Sequence, residues 1–241
     1  MRKWELKPAN DLGLPAAERF RSLKRESGLV STVLQLVWWT LVRGYMAVWH
    51  RLQVHGKQHI PLQPPFIMVS NHESHLDALV LASPLAWRMS NRIFPVAAGD
   101  VFFQTPMIAA FAAGLLNALP LWRKKCGPRA MEQLKHRLLN EPCSYIIFPE
   151  GGRSRDGEMS SFKPGLGMLV AGTSVPVVPC YLEGCFEALR PNQWLPWPRR
   201  IRLTIGEPVS FESVANEREG WARIAETMES RVRELAPRED R

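Results

Sequence analysis

Two short apolar runs, each delivering a cluster of polar residues, constrain this 241-residue chain more than any other feature. Phe66-Ile67-Met68-Val69 leads into Ser70-Asn71-His72-Glu73-Ser74-His75-Leu76-Asp77. Tyr145-Ile146-Ile147-Phe148 leads into Pro149-Glu150-Gly151-Gly152-Arg153-Ser154-Arg155-Asp156-Gly157. Unbroken apolar runs of this length predict buried strands. Further strands are predicted at Arg92–Ala98, Val175–Pro179 and Ile201–Ile205, and a turn within Gly114–Arg123 leads into another. Between them, helices are predicted over Ala78–Ala82, Pro106–Leu116, Pro128–Leu139 and Ala222–Leu235, with Met131, Leu134 and Leu138 sharing one face of the third. Ser83-Pro84 stops the first. Strands alternating with helices give the α/β class, here one domain with a mostly parallel mixed sheet flanked by helices. Open sheets of this class bind ligands at the carboxyl ends of their strands, where both polar clusters fall.

In the first cluster, His72 can accept a proton at pH 7. Asp77 lies five residues on, about 140° around a continuous helix, so on one helix the two would not share a face. They meet only if His72 stays in the loop and Asp77 sits in or just before the first helical turn. A carboxylate so placed would hold one ring nitrogen and leave the other as a base. The plainer alternative is that these side chains cap the helix and satisfy backbone donors. A zinc site is not indicated, because His72-Glu73-Ser74-His75 is one residue shorter than the His-Glu-x-x-His pattern.

In the second cluster, Gly151 and Gly152 allow a tight backbone whose N–H groups can face an anion. Arg153 offers a two-pronged grip for a phosphate, and Lys163 adds a point charge. The alternative is a solvated glycine-rich turn. No Walker loop is present. Gly152-Arg153-Ser154-Arg155-Asp156 fails as a nucleophile elbow, since Asp156 stands where the second glycine belongs.

Leu29–Trp49 is the most hydrophobic stretch, long enough at 1.5 Å per residue to cross about 30 Å of hydrocarbon. Ser31, Thr32, Gln35, Thr40 and Arg43 interrupt it. A spanning helix, a helix lying in one leaflet and a buried soluble helix all compete. The interfacial helix is favoured, held by Trp38, Trp39 and Trp49 with Arg43 and Arg51. Net charge is +8, and residues 1–60 carry ten Lys/Arg against four Asp/Glu, which is +6 of it. A basic end beside an apolar helix suits an anionic lipid surface. No zinc-finger spacing, basic zipper or ribonucleoprotein motif supports nucleic acid as a partner. Pro15–Phe20 reads as a short surface helix. Cys126, Cys143, Cys180 and Cys185 form no metal or redox pattern and are expected to be reduced thiols. The first twenty-eight residues are too charged for a cleavable signal. Residues 1–58 are thus expected to form a basic, apolar membrane-associating segment, and residues 59–241 the α/β domain.

In chain order, these motifs resemble the membrane-associated glycerolipid acyltransferases, whose best-known members are 1-acylglycerol-3-phosphate acyltransferases. The resemblance rests on Asn71-His72-x4-Asp77, on Gly114 to Leu121-Trp122-Arg123, on Phe148-Pro149-Glu150-Gly151-Gly152-Arg153-Ser154 and on Val175-Pro176-Val177-Val178-Pro179. Ile205-Gly206-Glu207-Pro208 looks like the family's closing strand. The resemblance implies that His72 is the general base on an acceptor hydroxyl and that Asp77 orients it. The alcohol would attack an acyl thioester directly, with no acyl-enzyme. Arg123 and Arg153 would hold the acceptor's phosphate, and Glu150 would be a site residue that binds substrate or braces its loop. Also implied are a lysophospholipid acceptor, acyl-CoA or acyl carrier protein as donor and co-substrate, no further cofactor, no metal, and a place at the cytoplasmic face of the inner membrane in phospholipid biosynthesis. Gly152 stands where the family usually has Thr, and Leu-Pro-Leu-Trp-Arg departs from the usual second motif. Both departures bear on the acceptor, so another lipid or alcohol acceptor, or a lipid-binding protein without activity, remains the alternative.

Overall fold

Residues 67–69 are wholly excluded from water, and everything around them is arranged to keep them so. The computed structural model describes residues 29–98, 112–121, 128–191 and 193–237, with isolated positions 15, 18, 22 and 105. The expected helix at Pro15–Phe20, most of the one at Pro106–Leu116, and the Trp122-Arg123 pair lie outside the described residues.

The strands are β1 (Gln53–His55), β2 (Ile67–Ser70), β3 (Ile93–Ala98), β4 (Leu119–Leu121), β5 (Ser144–Ile147), β6 (Val177–Glu183) and β7 (Arg202–Ile205). The helices are α1 (Leu29–Val48), α2 (Asp77–Ala82), α3 (Pro128–Asn140), α4 (Gly165–Val170), α5 (Cys185–Ala188) and α6 (Arg218–Arg233). Among the described residues, these strands form one sheet in the order β1-β7-β6-β2-β5-β3-β4. Each strand pairs parallel with its neighbour except β6 with β7. The sheet is therefore mostly parallel and mixed, as the alternation of elements predicts. β1 precedes the expected segment boundary at residue 58, yet it pairs with β7.

Alternation along β2 builds two cores. Phe66 and Met68 pack with Trp39, Val42 and Met46 of α1 and with Val80 and Leu81 of α2. Ile67 and Val69 pack on the other face with Leu134 and Leu138 of α3, Leu166 and Leu169 of α4, and Ile224 and Met228 of α6. Full burial of each such side chain contributes roughly 1.5–3 kcal/mol, which makes β2, with β5 and β6 on either side, the rigid centre of the molecule. Close helix packing matters too: a Cβ on Gly167 of α4 would run into the backbone of Trp221 of α6.

α1 meets the core by a stripe, Gln35, Trp39, Val42 and Met46, spaced to share one helical face. Its opposite face leaves Val33, Leu34, Val37, Leu41 and Val48 exposed. Arg43, expected to anchor the helix at a membrane surface, turns inward instead. Its Nε and Nη2 donate to the carbonyls of Ser83 and Leu85 at 2.8 and 2.6 Å, and its guanidinium stacks on Trp87. The carbonyls just past the end of α2 supply the acceptors that recruit it. Among the described residues, no helix is long and apolar enough to cross a membrane.

Candidate active site

β2 and β5 are adjacent and parallel, so the loops at their carboxyl ends leave the sheet side by side. His72 remains in the first loop and Asp77 is the first residue of α2. This is the one arrangement in which their five-residue separation lets them meet. Nδ1 of His72 lies 2.8 Å from Oδ2 of Asp77. The same oxygen accepts the backbone N–H groups of Glu73 at 2.7 Å and Ser74 at 2.8 Å. An oxygen already gathering two donors is an acceptor for the ring as well, so the proton belongs on Nδ1 and the lone pair on Nε2. Nε2 makes no hydrogen bond among the described residues. Capping and pairing are thus not alternatives here, because one carboxylate does both.

The imidazole is held flat. It stacks on Phe148 with ring centroids 4.1 Å apart and 17° between planes. The second loop also clamps its backbone. Oε1 of Glu150 accepts the His72 N–H at 2.7 Å, Oε2 accepts the Ser160 N–H at 2.9 Å, and Ser154 N–H donates to the His72 carbonyl at 2.8 Å. Glu150 is buried with both oxygens occupied by backbone donors, the geometry of a brace between the loops. Burial raises its pKa, and the two N–H donors pull the other way.

Asn71 ties the first loop to the sheet. Its side chain donates to Leu182 O at 2.9 Å and accepts Leu182 N–H at 2.8 Å, and it also donates to Glu73 Oε1 at 2.8 Å. Glu73 accepts Phe186 N–H with its other oxygen. Burial, then the charge of Asp77, pushes the Glu73 carboxyl up to about 8. The thiol of Cys185 is pushed well up by burial and by Asp77 and Glu73, and the buried Cys143 and Cys180 thiols are raised by desolvation too. These are thiols, not thiolates, and none is suited to nucleophilic attack.

His72 opens onto a cavity of about 480 Å³. Its lining includes Arg153, Gly151 and Gly152 together with the apolar Pro95, Val96 and Leu116. Arg153 and Gly151 therefore share a cavity with the imidazole, whereas Asp77 and Glu150 stand behind it. Gly151 adopts φ +74°, and a Cβ there would strike Nζ of Lys163, whose side chain lies across the glycine. Among the described residues, nothing lies within 4 Å of where a Gly152 Cβ would stand, so the missing side chain leaves open space beside them. The Ser154 hydroxyl is committed to its turn, donating to Asp156 Oδ1 at 2.8 Å and accepting Gly157 N–H at 2.9 Å. Arg123 lies outside the described residues. Arg155 and His75 also line the cavity, although their sequence pattern assigns neither a role there. His75 is exposed at the surface, and partial desolvation, the charge of Arg153 and then that of His72 lower its pKa. Its place three residues beyond His72 was the only available signal. Among the described residues, no group of three or more His, Cys, Asp or Glu could hold a metal ion.

The family model described as Acyltransferase matches residues 51–183. Relatives include mouse 1-acyl-sn-glycerol-3-phosphate acyltransferase alpha, 29% identical over 168 residues, covering 68% of this chain and 56% of that protein. The human alpha protein is 32% identical over 135 residues, covering 55% and 46%. The chloroplastic LPAT1 of Arabidopsis thaliana is 29% identical over 188 residues, covering 75% and 50%. The chain thus spans about half the length of the curated relatives it matches. Among solved structures, the 1-acyl-sn-glycerophosphate acyltransferase PlsC of Thermotoga maritima is similar with a TM-score of 0.62 and 27% identity, covering 86% of this chain and 81% of that one.

Proposed function

The chain belongs to the acyltransferase family, and from that premise we propose that it moves a fatty acyl group from a thioester donor to the hydroxyl of a lysophospholipid such as 1-acylglycerol-3-phosphate, in phospholipid biosynthesis. The carrying observation is the His72–Asp77 pair at 2.8 Å, with the imidazole opening onto the cavity that Arg153 lines. His72 Nε2 takes the hydroxyl proton as the acceptor oxygen bonds to the thioester carbonyl carbon. The tetrahedral adduct then collapses, the C–S bond breaks, and the imidazolium returns the proton to the leaving thiolate. Asp77 keeps Nδ1 protonated and offsets the transient positive charge. Arg153 and the Gly151 backbone hold the acceptor's phosphate, with Lys163 supporting that loop. The apolar lining receives the acyl chain.

The donor is acyl-CoA or acyl carrier protein. The exposed apolar face of α1 supports work at a membrane surface, and the place proposed for it is the cytoplasmic face of the inner membrane. Incubating the purified protein with radiolabelled acyl-CoA or acylated carrier protein and a panel of lysolipids and neutral alcohols tests the reading. Labelled diacyl product from a phosphate-bearing acceptor is expected. No product from any donor and acceptor pair would favour a lipid-binding role instead.

A further inference from the structure

Pro191 lines the cavity, and the stretch that follows it carries a second surface feature. Trp194, Leu195 and Trp197 are 86%, 57% and 61% exposed. Large apolar side chains grouped this way on a surface mark a contact site. The stretch is nonetheless held firmly. Trp197 N–H donates to Ala188 O at 2.8 Å, and Ile201 N–H to His50 O at 3.1 Å. Pro196 and Pro198 fix two of its backbone torsions. The exposed indoles are therefore presented by a loop that has little further entropy to lose on docking.

The loop also continues another surface. Trp49, just past the end of α1, donates its indole N–H to Pro196 O at 3.4 Å. Val48 and Trp49 are themselves exposed, as is the apolar stripe of α1. Arg199 and Arg200 follow Trp197 after Pro198 and are exposed. Indoles favour the boundary between headgroups and acyl chains, and guanidinium groups pair with phosphate oxygens. An acidic protein would satisfy the arginines but would leave the adjoining apolar stripe of α1 unused. A bilayer satisfies both.

We propose that the 193–200 loop docks on a phospholipid bilayer bearing anionic headgroups. Trp194 and Trp197 enter the headgroup boundary, and Arg199 and Arg200 hold lipid phosphates. The cavity edge at Pro191 is thereby brought against the lipid surface. This rests on the reading of the chain as an acyltransferase of membrane lipids and names which part of it meets them.

The test is co-sedimentation of the full chain with phosphatidylcholine vesicles, with and without phosphatidylglycerol. It compares the wild type with W194S/W197S, R199Q/R200Q and, on α1, V37S/L41S. Phosphatidylglycerol should tighten wild-type binding. Each loop variant should weaken it by about tenfold, roughly 1.4 kcal/mol, while acyl transfer to an acceptor in detergent micelles stays unchanged. Loop variants that bind as wild type while V37S/L41S weakens binding would overturn the loop assignment and leave membrane docking intact. Indifference to phosphatidylglycerol would overturn the anionic preference. Normal vesicle binding with a raised KM for acyl carrier protein would assign the surface to an acidic protein and overturn the proposal. Failure of acyl transfer in micelles by the wild type would instead count against the enzymatic reading itself.

Discussion

The loop after β2 buries its polar groups, whereas the loop after β5 sets its cations at an open cavity. Asn71, Glu73, Ser74 and Asp77 are all buried and hydrogen-bonded to one another, to backbone or to the imidazole. Gly151, Gly152 and Arg155 are exposed, and Arg153 is half-buried. An unmet buried donor or acceptor costs about 1–3 kcal/mol, so the first loop resists substitution and holds one geometry. In the second, the Arg153 and Arg155 side chains can change at little cost to stability. The chemistry is fixed in one loop and recognition is adjustable in the other. Glu150 and Ser154 are the exceptions that join them, since both belong to the second loop, are buried and hold the backbone of the first.

The largest expected effect is at the imidazole. His72→Ala should lower kcat by about a thousandfold, within the range general bases supply, with the protein still folded. A folded variant of near wild-type rate would remove the distinction between the loops. Glu150→Gln comes next. Its amide would face a backbone N–H where a carboxylate oxygen now accepts. It should lower stability by about 1–3 kcal/mol and kcat by roughly tenfold or more, with acceptor KM little changed. An unchanged thermal midpoint would place Glu150 among the dispensable groups. Arg153→Ala should behave oppositely, raising acceptor KM by about tenfold, the weight of one charge-assisted contact, with the melting midpoint unmoved. A loss confined to kcat would take Arg153 out of phosphate binding.

The effect of pH falls on stability and not on rate. Burial holds Glu73 near 8 in the folded chain against 4.5 as the ordinary value. Between those limits the folded state binds more protons than the unfolded one, so stability falls as pH rises and the loss is complete above the folded value. Glu73→Gln cannot titrate. The wild-type melting midpoint should therefore drop relative to Glu73→Gln between about pH 5 and pH 8. Parallel curves would show that the first loop is wetter than its geometry implies.

Local pattern carried much of this. The apolar runs marked β2 and β5, the spacing of Met131, Leu134 and Leu138 marked the buried face of α3, and the five-residue gap between His72 and Asp77 allowed only one productive arrangement. What local pattern cannot carry is contact between distant positions. The bond from Glu150 to the His72 backbone spans 78 residues and that from Asn71 to Leu182 spans 111. Nothing in either side chain's neighbours announces a buried brace. β1 is only three residues long and has no apolar run, so it was found only through its pairing with β7. Arg43 read as a membrane anchor because its sequence neighbours are apolar, whereas its true partners are carbonyls 40 and 42 residues away.

The account depends on Asp77 acting through His72. A double-mutant cycle of His72→Ala, Asp77→Asn and the pair together, read as kcat/KM on folded proteins, measures that dependence directly. The expected result is that Asp77→Asn slows the wild type by about a hundredfold but costs almost nothing further once His72 is alanine. Equal losses in both backgrounds would contradict the account, because the carboxylate would then be serving the fold and not the imidazole.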